Sequence, residues 1–130
     1  MPQETAAAES VCLVDDDAGV LTSIGRLLAS DGFAVRPFRE PRDFLAHVEA
    51  NAVALVVLDI WMEQMTGLEV QAKLSRMSPA TRVIVMTGRK DPAAGRTALQ
   101  LGAVAFFVKP FDDEEFLAAV HRAMSGAHKT

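Results

Sequence analysis

Cysteine occurs once in these 130 residues, as Cys12 within an apolar run, and it has no intrachain partner. That excludes a disulfide framework and a cysteine-based zinc site, and it fits a reducing compartment. Positive charge is also scarce: 13 Lys and Arg face 17 Asp and Glu, giving a net charge of −4 and a pI near 5.3. A field of that sign repels polyanions, so direct binding of nucleic acid is not expected. No apolar run approaches the roughly 18 residues of a membrane span. Met1 to Ser10 lacks a basic stretch followed by an apolar core, so no signal peptide is readable either. Linkers, repeats and low-complexity tracts are missing as well. The expectation is one soluble, cytoplasmic domain over 10–125, with a flexible N-terminal tail at 1–9 and a short C-terminal tail at 126–130.

What is present is hydrophobic and regularly spaced. Half of the residues are apolar, enough to offset the entropy of ordering the chain. Five short runs recur: Val11-Cys12-Leu13-Val14, Phe33-Ala34-Val35, Ala54 to Leu58, Val83 to Met86 and Val104 to Val108. Runs that are apolar on both faces predict strands covered on both sides, hence a parallel sheet. Between them lie stretches of helical spacing. Val20, Leu21, Ile24, Leu27 and Leu28 mark a helix from about Asp17 to Ser30, with Gly32 as its stop. Phe44, Leu45 and Val48 mark a second, and Val70, Leu74 and Met77 a third that begins near Thr66-Gly67 and ends before Pro79. A fourth, from about Pro92 to Leu101, is built from small residues around Gly95, so it buries little area and is a candidate for motion. The fifth opens on Asp112 to Glu115, and its face is Phe116, Leu117, Val120 and Met124. The alternation predicts an α/β fold, a (βα)5 doubly wound five-stranded parallel sheet.

In such a sheet, ligands bind beyond the carboxyl ends of the strands. Asp15, Asp16 and Asp17 follow the first strand, Asp59 the third, Thr87-Gly88 the fourth and Lys109-Pro110 the fifth. The second ends on Phe38 and Arg39, which suits an edge position. Carboxylates gathered at one point repel one another unless they share a cation, and an all-oxygen set favours Mg2+, or Mn2+, over zinc. Mg2+ held by few carboxylates leaves room for a phosphoryl oxygen. With Lys109 as a fixed cation and Thr87 as a hydroxyl donor, these are the parts that phosphoryl transfer needs.

These motifs resemble the receiver domain of two-component response regulators over roughly Val11 to Ala123. The resemblance rests on the acids after Val14, on Asp59 followed by Met62 and Thr66-Gly67, on Val85-Met86-Thr87-Gly88 and on Lys109-Pro110-Phe111. It implies a flavodoxin-like strand order 2-1-3-4-5 and a phosphorylation site at Asp59, charged by a sensor histidine kinase, a phosphotransfer protein or a small-molecule donor. It further implies Asp16 as a direct Mg2+ ligand, Asp15 as a ligand through water and the backbone carbonyl of Trp61 as a third protein contact. Thr87 would bind the phosphoryl oxygens, Lys109 would pair with Asp59 or its phosphate, and Lys109-Pro110 would be cis. Thr87 and Phe106 would form the switch. The output would be the face made by the fourth helix, fifth strand and fifth helix, offered to a downstream protein, an output domain outside this sequence or a second copy of the phosphorylated chain. Such a protein is a regulator with self-catalysed phosphoryl transfer and hydrolysis, not an enzyme in the ordinary sense. One departure stands out: the family usually has proline after the methionine at position 62, where this chain has Glu63. A less rigid loop follows, and an acid there disfavours a doubly charged phosphoryl group.

Plainer roles compete. Asp17 suits a helix N-cap better than a metal ligand. Phe106 and Phe107 point to opposite faces, so at least one is core packing. Trp61 is either a ring that limits water access to an acyl phosphate or a loop aromatic resting on apolar surface. Cys12 reads as buried filling, and His47, His121 and His128 lie away from the strand ends. A phosphatase of the haloacid dehalogenase type also uses an aspartyl phosphate, but it needs a second Asp where this chain has Trp61. A receiver that signals without phosphorylation draws its support from Glu63. A flavodoxin reading lacks the phosphate loop after the first strand.

Overall fold

The computed structural model of the protein describes residues 10–88 and 90–126. Five strands, β1 (Ser10–Val14), β2 (Ala34–Phe38), β3 (Leu55–Asp59), β4 (Arg82–Thr87) and β5 (Ala105–Val108), form one parallel sheet in the order β2-β1-β3-β4-β5. Five helices, α1 (Ala18–Ser30), α2 (Pro41–Ala50), α3 (Gly67–Met77), α4 (Pro92–Gln100) and α5 (Asp113–Gly126), connect or follow them. The expected α/β fold and strand order are therefore those of the molecule. The tails assigned to 1–9 and 126–130 fall outside the described residues, apart from Gly126, which ends α5.

Alternation along the strands divides the core in two. Val11, Leu13, Leu55, Val57, Ile84 and Met86 face α1 and α5, meeting Leu21, Ile24, Leu28, Phe116 and Val120. Cys12, Val14, Val56, Leu58, Val83 and Val85 face the other way, against Phe44, Val48, Val70, Leu74 and Ala98 of α2, α3 and α4. A strand whose odd and even residues are both buried must be apolar throughout, which is why β1, β3 and β4 read as unbroken hydrophobic runs.

The edge strands differ from the sequence expectation. β2 runs from Ala34 to Phe38, longer than Phe33-Ala34-Val35, and Ala34, Arg36 and Pro37 are exposed. Hydrogen-bonded only to β1, it tolerates Pro37, whose missing N–H costs nothing on a free edge. β5 is half-buried along its length rather than fully covered.

Local chemistry sets the helix ends that border the strand tips. Asp17 caps α1, accepting from the amides of Gly19 and Val20 at 2.8 and 3.3 Å. Thr66 caps α3 in a reciprocal box, with Glu69 accepting from the Thr66 amide at 2.8 Å and the Thr66 hydroxyl accepting from the Glu69 amide at 3.1 Å. On the far side, fully buried Phe116 stacks on Phe111 at 4.7 Å and meets Phe107 edge-on at 5.6 Å. This aromatic cluster pins the segment between β5 and α5 that carries Lys109.

Candidate functional site

Asp15 is the first residue past β1, Asp59 the last of β3, Thr87 the last of β4 and Lys109 the first past β5. Topology thus brings together four side chains that lie far apart in sequence. One carboxylate oxygen from each of Asp15, Asp16 and Asp59 lies within 4.8 Å of the others. Asp15 and Asp59 are buried and Asp16 is half-buried. The Lys109 ammonium stands 3.2 Å from Asp15 Oδ2 and 3.6 Å from Asp59 Oδ1, so it is shared between them and lies closer to Asp15. Thr87 is fully buried beside them, while Gly88 is exposed. The Lys109 amide donates to the Thr87 carbonyl at 2.7 Å, tying the two strand ends together, and the Lys109–Pro110 peptide is cis.

The electrostatics are those of a site short of positive charge. Burial, followed by repulsion from Asp15, pushes the Asp59 carboxyl up to about 6, and attraction to Lys109 offsets only part of this. Asp15 is also raised, chiefly by burial, against the lowering effect of the Asp17 amide and of Lys109. Three acids sharing one lysine leave a net negative, all-oxygen cluster, and that donor set suits a small hard dication such as Mg2+. Asp15, Asp16 and Asp59 could hold such an ion, with the Trp61 carbonyl two residues beyond Asp59 in the adjoining loop.

Each carboxylate has a partner that fixes it. The Asp17 amide donates to Asp15 Oδ1 at 2.9 Å, and the Glu63 amide donates to Asp16 Oδ2 at 3.0 Å. The Asp59 backbone is held from behind: the Ile60 amide donates to the Met86 carbonyl at 3.0 Å, and the Gly67 amide to the Ile60 carbonyl at 2.7 Å. Gly67 packs so tightly there that a Cβ would collide with the Asp59 carbonyl oxygen and reach 3.0 Å from Ile60 Cα. Only glycine permits this approach of α3 to the end of β3. The sequence signal was the Thr-Gly pair opening a helix, but a side-chain pattern does not reveal how near a backbone passes.

The other candidates fall as follows. Phe106 packs with the core on the α2, α3 and α4 side and Phe107 with the opposite core, as neighbours on a strand must. Trp61 is half-buried, its ring set against the apolar cluster that includes Val70, Leu74 and Ala98. His47 touches Phe38 and Asn51, and His121 pairs with Asp31 against Phe33, so neither joins the acids. His128 lies outside the described residues. Cys12 is buried, which pushes its thiol up to about 11 and keeps it protonated. No helix among the described residues is long and apolar enough to cross a membrane.

Comparison with known proteins agrees with this geometry. The response regulator protein TodT of Pseudomonas putida is 35% identical over 117 residues, which are 90% of this chain and 52% of TodT. The chain thus spans about half the length of that curated relative. Among solved structures, a CheY-like response regulator receiver domain protein from Methanospirillum hungatei superposes with a TM-score of 0.86 at 26% identity, covering 93% of this chain and 97% of the other. The beryllofluoride-activated NtrC4 receiver domain, a dimer in solution, gives 0.86 at 27% identity, covering 92% and 98%. Residues 11–121 match the response regulator receiver domain over nearly the whole described fold, and the chain belongs to that family, the receiver module of two-component signalling.

Proposed function

We propose that the domain is a phosphorylation switch with Asp59 as its acceptor. The observation that carries this reading is the convergence of Asp15, Asp16 and Asp59 within 4.8 Å, with Lys109 3.6 Å from Asp59. An oxygen of Asp59 bonds to phosphorus as the bond from phosphorus to the donor breaks, the donor being a phosphohistidine of a sensor kinase or phosphotransfer protein, or a small acyl phosphate. Asp16 would hold Mg2+, or Mn2+, directly, Asp15 through water, and Trp61 through its carbonyl. When bound, the ion offsets charge between the carboxylates and the phosphoryl group. Lys109 neutralises a phosphoryl oxygen, and the Thr87 hydroxyl donates to another.

The chain's own reactivity is then self-catalysed transfer and slow hydrolysis in the service of regulation. Phosphorylation adds charge next to Thr87, draws it inward and biases α4 and Phe106, which remodels the α4-β5-α5 face. Leu99, Leu101 and Val104, exposed on α4 and on the turn leading to β5, support that face as the contact for a downstream protein, an output domain or a second copy. A cytoplasmic setting, with no direct hold on nucleic acid or membrane, agrees with the net charge of −4 and with the lack of a membrane-spanning helix among the described residues.

The test is acetyl phosphate with Mg2+. Mass spectrometry is expected to find one added phosphoryl group, lost on Asp59→Asn and dependent on the metal. Labelling that persists in Asp59→Asn sinks the assignment, and multiple turnover of a generic phosphate ester would point to a phosphatase instead.

A further inference from the structure

The bond between the Glu63 amide and Asp16 Oδ2 joins two loops that lie 47 positions apart in sequence. Among the described residues it is the one hydrogen bond that Asp16 makes. Asp15, by contrast, is held twice, by the Asp17 amide and by Lys109. Asp16 is half-buried, and the Glu63 amide is the donor that orients its carboxylate. Proline at position 63 would have no N–H and could not make this contact. The departure from the family's usual residue therefore creates a donor at the place where the loop would otherwise be stiffened.

We infer that the Glu63 backbone amide is a positioning group for Asp16, orienting its carboxylate toward the acidic cluster for a divalent cation. The inference rests on the reading of Asp15, Asp16 and Asp59 as a cation site. Groups that hydrogen-bond a metal ligand from outside commonly change affinity by 10- to 100-fold, because an oriented ligand loses less freedom on binding. This bond is at the surface, where water competes, so the effect is smaller. The Glu63 side chain has a lesser part. It is exposed and lines an open cavity of about 400 Å3 together with Arg39 and Glu40, where salt screens its charge.

The backbone and side-chain roles separate cleanly. Mg2+ is titrated into the metal-free protein at physiological salt and followed by amide NMR shifts of residues 15, 16 and 59, for the parent, Glu63→Pro, Glu63→Ala and Glu63→Gln. The expected result is a Kd about 3- to 10-fold weaker in Glu63→Pro and within about twofold of the parent in the other two. Equal or tighter binding by Glu63→Pro overturns the inference, as does equal weakening in all three variants. No saturable Mg2+ response in the parent overturns the cation site and the inference together.

A second measurement does not depend on the proline variant folding. Hydrogen exchange at the Glu63 amide is expected to be slower in the parent than in Asp16→Ala, which lacks the acceptor. Equal exchange rates overturn the inference while leaving the cation site standing.

Discussion

The ring of Phe106 lies against the backbone of α4 at Gly95, so close that a Cβ on Gly95 would stand 2.5 Å from Phe106 Cε2 and 2.8 Å from Cδ2. Glycine in a helix interior costs about 1 kcal/mol relative to alanine. Here that cost secures a seat for the aromatic ring. The small residues that predicted motion in this helix thus have a second role, since they let a half-buried ring of β5 settle onto the helix.

Gly95→Ala is therefore expected to push the Phe106 ring outward. Overpacking costs about 1–3 kcal/mol, but the ring is half-buried and can turn away, and the gain in helix propensity opposes the loss. Net stability should change by less than about 2 kcal/mol. Aromatic NMR shifts of Phe106 are expected to move away from those of the parent. Ring shifts identical to the parent's would show that the helix yields instead of the ring.

Two other glycines make a matched pair. At Gly25 in α1 the nearest atom to an added Cβ is Val35 Cγ1 at 3.9 Å, an ordinary contact, so Gly25→Ala is expected to raise stability by about 0.5–1 kcal/mol. Gly67→Ala drives its methyl into the Asp59 carbonyl, which is backbone and cannot step aside. A loss of about 2–4 kcal/mol is expected there, together with weaker Mg2+ binding, because α3 can move off only by shifting the end of β3. Denaturant melts of the two variants, run side by side, test both statements.

These contacts mark the boundary of what the sequence discloses. Strands β1, β3 and β4 were legible because burial on both faces demands unbroken apolar runs. β2 was only partly so, since Arg36 and Pro37 interrupt a strand that needs hydrogen bonds on one side alone. The convergence of Asp15, Asp16, Asp59, Thr87 and Lys109 followed from their places after strands, because a parallel sheet gathers all carboxyl ends at one edge. The Glu63 amide and the tight passes at Gly67 and Gly95 stayed hidden. Each is a backbone proximity, and side-chain patterning carries no record of it.

Lys109 is the only cation paired with the acids among the described residues. Replacing it with methionine keeps the aliphatic stem but leaves Asp15 and Asp59 buried without a counter-charge. The expected loss is about 1–3 kcal/mol near neutral pH, since breaking a buried pair strands its partner. Both carboxyls should also titrate higher than in the parent. Carboxyl NMR titrations of the two aspartates check this, and unchanged titrations would mean that Lys109 exerts no field on them.

Asp59 makes the stability of the metal-free protein fall as pH rises. Its carboxyl lies at about 6 in the fold against 3.8 ordinarily, so the folded chain binds the proton more tightly than the unfolded chain does. The stabilising contribution is complete below the unfolded value and is lost as pH rises through about 6. Above that, the charged carboxylate costs about 1–3 kcal/mol. Asp59→Asn removes the charge and should melt higher than the parent near pH 7.5, with the difference closing near pH 4. Mg2+ should act in the opposite sense on the parent, raising its melting temperature more near pH 7.5 than near pH 5, where protons compete for the carboxylate. Thermal melts of both proteins across that range, with and without Mg2+, test the linkage. An Asp59→Asn variant no more stable than the parent near pH 7.5 would mean that the buried charge is compensated within the fold.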